Sequence, residues 1–361
     1  MKPLLRKNWL IITLVLLALI TVVINQFPPF IEKYYATGLF PYISQSLRFL
    51  LGWVPFSAGD ILYVVAFFWI IVRMVNFIKR WRRKQLKRRI LYYYCRKVMQ
   101  TVLIVYISFN WLWGFNYNRL GSTYQMGLKF ERYTNEQLVR LADSLVGKLN
   151  GIIKDPASLK TFAHTAQLGT LSRSAYQAAA LTYPFLQYQN LSVKASIVYG
   201  GGNYIGFLGY INPFTLEAQL NTTIPAILFP TVCCHEIAHQ LGYASESEAN
   251  FIGYIACRQS TEAAFRYSVY YDMFSYAISD LYVRDSALAK EKLKSLPQRI
   301  KDDRKQVHAF FSRYKNPFSP LIEWMYDKYL KVNSQPKGRE SYNEVVGWLI
   351  AYATKYGWDK I

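Results

Sequence analysis

Two histidines four residues apart, with a glutamate directly after the first, have the types and spacing that suit metal chemistry. They lie in Cys233-Cys234-His235-Glu236-Ile237-Ala238-His239-Gln240-Leu241-Gly242, closely followed by Glu246-Ser247-Glu248-Ala249-Asn250. On a helix His235 and His239 share a face, so both imidazoles can point at one ion. Glu236, one step round, is placed to act as general base on water activated by that ion. An open zinc site needs a third protein ligand, and Glu246 is the candidate. On an unbroken helix Glu246 would lie roughly 10 Å along the axis from His239, too far to share an ion bound at about 2 Å. Gly242 supplies the break, since glycine readily ends a helix in the left-handed conformation. A second helix can then carry Glu246 back, with Asn250 one turn on to hydrogen-bond a ligand. Glu248 is the rival ligand. It stands two residues from Glu246 and faces nearly the other way, so only one of the two can coordinate. The chain has four histidines, and two fall in this motif. His308 reads as a packing or surface histidine, and Cys233 and Cys234 as small buried packing residues.

These residues resemble known families. Glu246-Ser-Glu-Ala-Asn250 looks like the Glu-x-x-Ala-Asp/Asn element that follows His-Glu-x-x-His in gluzincin zinc peptidases, among them the CAAX-type and heat-shock membrane metallopeptidases. That resemblance implies the ligand role for Glu246 and a supporting role for Asn250, although the gap from His239 is shorter here. Gly242 is similar to the metzincin pattern, but Ser245 stands where a metzincin has its third histidine. Over nearly the whole chain the sequence resembles a bacterial family of uncharacterised multi-pass membrane proteins, known only as a domain of unknown function. The shared stretches are Asn-Pro-Phe-Thr-x-Glu-Ala-Gln at 212–219, His-Glu-x-Ala-His-Gln at 235–240 and Glu-Ala-Asn-Phe at 248–251. The resemblance implies a zinc peptidase and supplies no substrate.

The elements that must position these residues begin with apolar segments. The chain has 361 residues, 52% hydrophobic and 17% aromatic, enough for a membrane bundle and one sizeable domain. Asn8 to Ile31 carries no charge. Its apolar part is too long for a signal peptide, and Asn25-Gln-Phe-Pro-Pro29 offers no small-residue cleavage site, so it reads as a retained anchor. The expected spans are about 9–27, 58–78 and 98–117, within a transmembrane region 1–118. Trp111, Trp113 and Tyr117 suit an interfacial belt. Residues 39–56, apolar with Trp53 and Pro55, are compatible with an interfacial helix, a role the sequence leaves open.

Most of the basic excess lies in the membrane part, and the loop 79–97 holds ten of its Lys/Arg and no acidic residue. Residues 1–115 contain 16 Lys/Arg against Glu32 and Asp60, in a chain of net charge +21. A short basic loop between two spans is a cytoplasmic loop by the positive-inside rule, with anionic membrane lipid its partner rather than nucleic acid. The expectation is a multi-pass protein of the cell membrane, with the N-terminus and basic loop cytoplasmic and the C-terminal domain extracytoplasmic. Cys95, Cys233, Cys234 and Cys257 have no disulfide-scaffold spacing.

In 119–361, Thr134 and Gln137 form a capping box ahead of Leu138, Leu141, Leu145 and Leu149 at helical spacing. A helix over 172–181 and strands over 191–199 and 204–211 follow, broken by Gly200-Gly-Gly202. Residues 207–221 suit either substrate binding by strand addition, with Glu217 near the cleft, or an ordinary loop and strand. Helices are expected over 246–260, 262–279, 296–313, 320–332 and 341–356. Tyr267, Tyr270, Tyr271 and Tyr342 are candidates to stabilise an oxyanion.

The combined reading is a membrane-anchored, mainly α protein: about three transmembrane helices, then a mostly helical α+β zincin-like metallopeptidase domain. Zn²⁺ is the expected cofactor and a peptide or protein the expected substrate. A non-catalytic membrane protein, whose structural metal site serves binding of a partner or envelope component, is the alternative.

Overall fold

A computed structural model describes residues 2–155, 159, 162, 164–332 and 344–361. The N-terminal helices are α1 (Lys2–Ile24), α2 (Phe40–Gly52), α3 (Ala58–Arg82) and α4 (Arg88–Leu112), with a π-helical stretch Ile31–Leu39 leading into α2. Of the described helices, α3 alone is long and apolar enough to cross a membrane, and its apolar surface is exposed. Trp9–Ile24 and Pro28–Gly52, bent by 97° at their break, qualify together as one broken span. By length and composition the described residues hold one or two candidate spans, where the sequence suggests about three. The uncharged part of α4 runs from Val98 to Leu112, and the chain stays uncharged to Asn118.

The polar groups of α1 and α4 face one another. Trp111 Nε1 donates to Thr21 Oγ1 at 3.0 Å, Asn25 Nδ2 to Asn110 Oδ1 at 3.1 Å, and Asn118 Nδ2 to Asn25 Oδ1 at 2.8 Å. One face of residues 39–56 docks on the following domain, while Tyr42, Phe49, Leu50 and Trp53 stay exposed on the other. Ser44 Oγ donates to the Gln240 carbonyl at 2.6 Å, and buried Arg48 donates to the Gln189 carbonyl at 2.7 Å.

Next come α5 (Asn135–Ile153), α6 (Thr165–Ala180), β1 (Val193–Ala195), α7 (Tyr199–Ile205), β2 (Gly209–Ile211) and β3 (Ala218–Leu220). Thr134 and Gln137 form the expected capping box, and the four leucines of α5 are fully buried. The sheet order is β1-β3-β2, with β1 parallel and β2 antiparallel to β3. Both strands are shorter than expected. The chain at 199–205 coils into α7 straight through its glycines, and Gly206 ends it at φ +81°.

The helices α8 (Phe229–Gln240), α9 (Glu246–Cys257) and α10 (Ala263–Arg284) form the centre. Then follow α11 (Ser286–Lys294), which was not expected and is capped by Asp285, α12 (Gln298–Arg313), α13 (Ser319–Val332) and α14 (Glu344–Tyr356). The first residues expected in α14, with Tyr342, lie outside the described residues. Helix α8 is buried along most of its length among α6, α9, α10 and the sheet. Cys233, Cys234 and Cys257 are free thiols buried in that core.

A smaller second core joins the N-terminal segment to this centre. It comprises Ile31, Tyr35, Phe40, Trp113 and Phe115 with Leu216 and Ala244. The division at 118/119 is thus bridged by packing as well as by chain.

Candidate metal centre

The break after α8 forms as glycine chemistry dictates. Gly242 adopts φ +88°, its amide donates to the His239 carbonyl at 2.8 Å, and the Tyr243 amide donates to the Ala238 carbonyl at 3.2 Å. Ser245 then caps α9 by accepting from the Glu248 amide at 3.2 Å. The two helices cross where Gly253 lies: a Cβ there would stand 3.1 Å from the His235 nitrogen.

This geometry brings His235, His239 and Glu246 together. One ligand atom from each falls within 4.8 Å of the others, a group that can hold a metal ion. Glu246 Oε2 is 3.1 Å from His235 Nε2 and 3.8 Å from His239 Nε2. Ligand atoms about 2.0–2.1 Å from a tetrahedral ion stand roughly 3.3 Å apart, a value these two separations bracket. The opposite edge of each ring is held. His235 Nδ1 donates to Asn250 Oδ1 at 2.7 Å, and His239 Nδ1 to the Tyr243 carbonyl at 2.7 Å. Each bond leaves Nε2 facing Glu246, able to offer its lone pair to an ion once its own proton is displaced. The chemistry of the donor set fits a divalent ion such as zinc, and among the described residues it contributes three protein ligands.

Glu248 is elsewhere. Its carboxylate accepts from the Ser122 amide at 2.6 Å and the Ser122 hydroxyl at 3.1 Å, on the face of α9 turned away from the centre. Glu217 also lies apart from the centre. It is fully buried and accepts from the amides of Gly59 at 2.6 Å and Ala58 at 3.2 Å, the first residues of α3. Asn212 Oδ1 takes the Phe214 and Thr215 amides, and the Gln219 side chain meets Ser57 Oγ at 2.9 Å. The Asn-Pro-Phe-Thr-x-Glu-Ala-Gln stretch is thus a socket for the start of the apolar helix.

The electrostatics follow from burial against charge. Burial pulls the His235 imidazolium down, but the Glu246 and Glu236 carboxylates outweigh it and lift its pKa to about 9. Burial would raise Glu246, yet its hydrogen bonds to the two histidines hold it well below the usual carboxylate range. Glu236 is pushed up to about 7, by burial first and by Glu246 as well, against the pull of the histidines. Its Oε2 has no hydrogen-bond partner among the described residues. On its other side a Cβ at Gly209 would lie 2.7 Å from Glu236 Oε1, so only glycine lets β2 run this close.

Two residues of α10 that sequence reasoning missed close the site. Tyr276 accepts from Asn250 Nδ2 at 3.2 Å, and burial together with the Asp272 and Glu246 charges holds its hydroxyl protonated. Asp272, one turn earlier, is raised to about 6 by burial, opposed by the His235 charge. Their four-residue spacing on α10 was the available signal. The candidate Tyr267 instead donates to Asp303 at 2.6 Å, and Tyr270 stacks edge-on with Tyr254. On the back wall the Trp113 ring, from just past α4, meets His239 edge-on with centroids 5.9 Å apart. The His235 and Glu246 side chains retain 15% and 16% exposure, so the centre opens to solvent on that side.

A family model described as "Protein of unknown function (DUF3810)" matches residues 35–350. No curated protein matches the chain, and no solved structure does.

Proposed function

The chain therefore belongs to that family of unknown function, and from the geometry of its centre we propose that it is a membrane-anchored zinc metallopeptidase. The observation that carries this is the pairing of an open three-ligand cluster with a buried carboxylate, Glu236, one of whose oxygens is unpartnered among the described residues. His235, His239 and Glu246 would hold the ion, which supplies Lewis acidity for a scissile carbonyl and makes water more acidic. Glu236 accepts the proton of the attacking water and passes it to the leaving amine, a task suited to a carboxylate poised near neutrality. Tyr276 is the donor on hand for the developing oxyanion.

Substrate alignment is supported by β2. Asn221 donates to the Leu208 carbonyl and Asn212 to the Glu217 carbonyl. Alternation then turns the amide and carbonyl groups of Gly209 and Ile211 away from β3, an edge for an extended peptide beside Glu236. Orientation in the membrane has its own support. Trp113, just past α4, packs on His239, Asn118 bonds Asn25 just past α1, and the start of α3 docks on Glu217 of the same domain, while the basic turn joins the other ends of α3 and α4. With α4 as a further span, a cytoplasmic basic loop facing anionic lipid leaves the centre outside the cytoplasm.

The test uses the full chain in detergent. Glu236→Gln should keep about one zinc per chain and lose peptide hydrolysis, while His239→Ala and Glu246→Ala should lose the metal. Full hydrolysis by Glu236→Gln, or a folded wild-type chain that takes up no zinc, would end the proposal.

A further inference from the structure

The stretch between Lys194 and Glu217 contains no charged residue, yet its middle is exposed. Ile197, Val198, Tyr199, Tyr204, Ile205 and Phe207 are between 38% and 54% exposed. Helix α7 carries three consecutive glycines, and a Cβ at Gly200 or Gly201 would meet nothing within 4 Å. Those glycines are not there to let protein pack closely. The apolar face continues onto α13, whose Leu321, Trp324 and Met325 are more than half exposed. Asn316 Nδ2 donates to the Tyr204 carbonyl at 3.0 Å, and Tyr204 stacks edge-on with Tyr314, holding the two parts side by side. Solvated loops are not built this way.

What covers this face is indicated by its tether. Asp60, in the first turn of α3, accepts from the Ile197 amide at 2.7 Å and from Ser196 Oγ at 3.2 Å, and it also bonds the Tyr210 hydroxyl. The exposed apolar surface of α3 begins at the next residue, Ile61. The α7 stretch is thus tied, at Ile197, to the first turn of the membrane-crossing candidate, one residue before that helix's apolar surface begins. The same stretch leads within two residues of Phe207 into Gly209, which touches Glu236.

We propose that residues 197–207 are a monotopic lipid-inserting element, seating β2 and Glu236 at the bilayer surface, so that the substrates are polypeptides anchored in or emerging from the membrane. The lipid part rests on the placement of α3 in a membrane, and the substrate part on the peptidase reading. Apolar and aromatic side chains on a short helix, with glycine-rich backbone and no charge, suit insertion to the depth of the headgroup–acyl boundary. An extended chain leaving the bilayer there meets the outer edge of β2 first.

Two measurements on the full chain in phosphatidylcholine–phosphatidylglycerol liposomes separate these parts. In a Cys95→Ser background, an environment-sensitive dye on Ile205→Cys should be quenched by lipid-borne nitroxide and spared by aqueous iodide, as on Phe67→Cys of α3. A dye on Leu181→Cys, 88% exposed on the domain, should show the reverse. Iodide quenching at 205, or shielding from both quenchers as a protein occupant would give, overturns the insertion. Second, a random fluorogenic peptide library carrying a palmitoyl chain should be cleaved about tenfold faster or more than the same library without it, through its higher effective concentration at the surface. The triple variant Ile197→Ser/Tyr204→Ser/Ile205→Ser should erase that preference and leave cleavage of the free library unchanged. Equal cleavage of both libraries by the wild type overturns the substrate class. Cleavage of neither overturns the peptidase reading and the substrate class with it, while the quenching result still decides the insertion.

Discussion

Asn250 joins two functions in one side chain: its Oδ1 fixes the tautomer of His235, and its Nδ2 reaches the hydroxyl of Tyr276. Asn250→Ala frees the imidazole to rotate and to carry its proton on either nitrogen. Zinc affinity of the purified chain should then fall about 10–100-fold, as for other partners of metal-bound histidines, measured by competition with a chelator. Unchanged affinity would show that packing alone orients the ring. The four residues at the heart of the site were legible in sequence because their relation is local: a four-residue helical spacing, a glycine break and a return. Glu248 was separable from Glu246 only once its partner Ser122 was known, 126 residues away in the chain. Tyr276 has only its four-residue spacing from Asp272 as a signal and Trp113 has none, since each reaches the site from a segment distant in the chain from the motif.

At the scale of elements, β2 and the socket for α3 bear on the site in different ways. Gly209→Ala places a methyl within van der Waals overlap of the Glu236 carboxylate, and either the strand or the carboxylate must move. A displacement near 1 Å can cost about 10²-fold in rate. Gly209→Ala should therefore depress hydrolysis strongly while zinc content stays at the wild-type value, a split seen by assaying both on one preparation. Glu217→Gln acts on folding instead. It removes the charge from a buried acceptor of two helix-start amides, with an expected loss of about 1–3 kcal/mol in stability. A lower thermal midpoint with full metal content would confirm that this stretch is a socket; loss of turnover at an unchanged midpoint would return Glu217 to the substrate side. Here the sequence misled for a physical reason. A glutamate beside a strand that leads to a metal helix has no local mark telling whether it faces substrate or a helix that begins 159 residues earlier. Strand lengths were misread for a related reason, since they are set by the partner strand.

Across the whole molecule, a buried charge network binds the N-terminal segment to the metal helix. Glu32 accepts from Arg119 at 3.0 and 3.1 Å, from the Leu120 and Gly121 amides, and from Gln125. Arg119 in turn donates to the Gly242 carbonyl at 3.1 Å and lies over the Tyr243 ring, and the Tyr243 carbonyl holds His239. The guanidinium and carboxylate are both nearly inaccessible, with side-chain exposures of 2% and 7%. Breaking such a pair by removing one charge typically costs about 3–5 kcal/mol, because the other is left buried and uncompensated. Glu32→Gln should thus lower the thermal midpoint of the full chain. Because the stranded Arg119 touches the turn that orients His239, zinc affinity should fall with it. Glu32→Gln/Arg119→Met, which removes both charges, should recover part of the stability and leave the affinity low, since the contact to Gly242 is gone. If Glu32→Gln changed neither stability nor affinity, the N-terminal helices would be a passive anchor. Loss of both, with recovery of stability alone in the double variant, would make them part of the metal centre's scaffold.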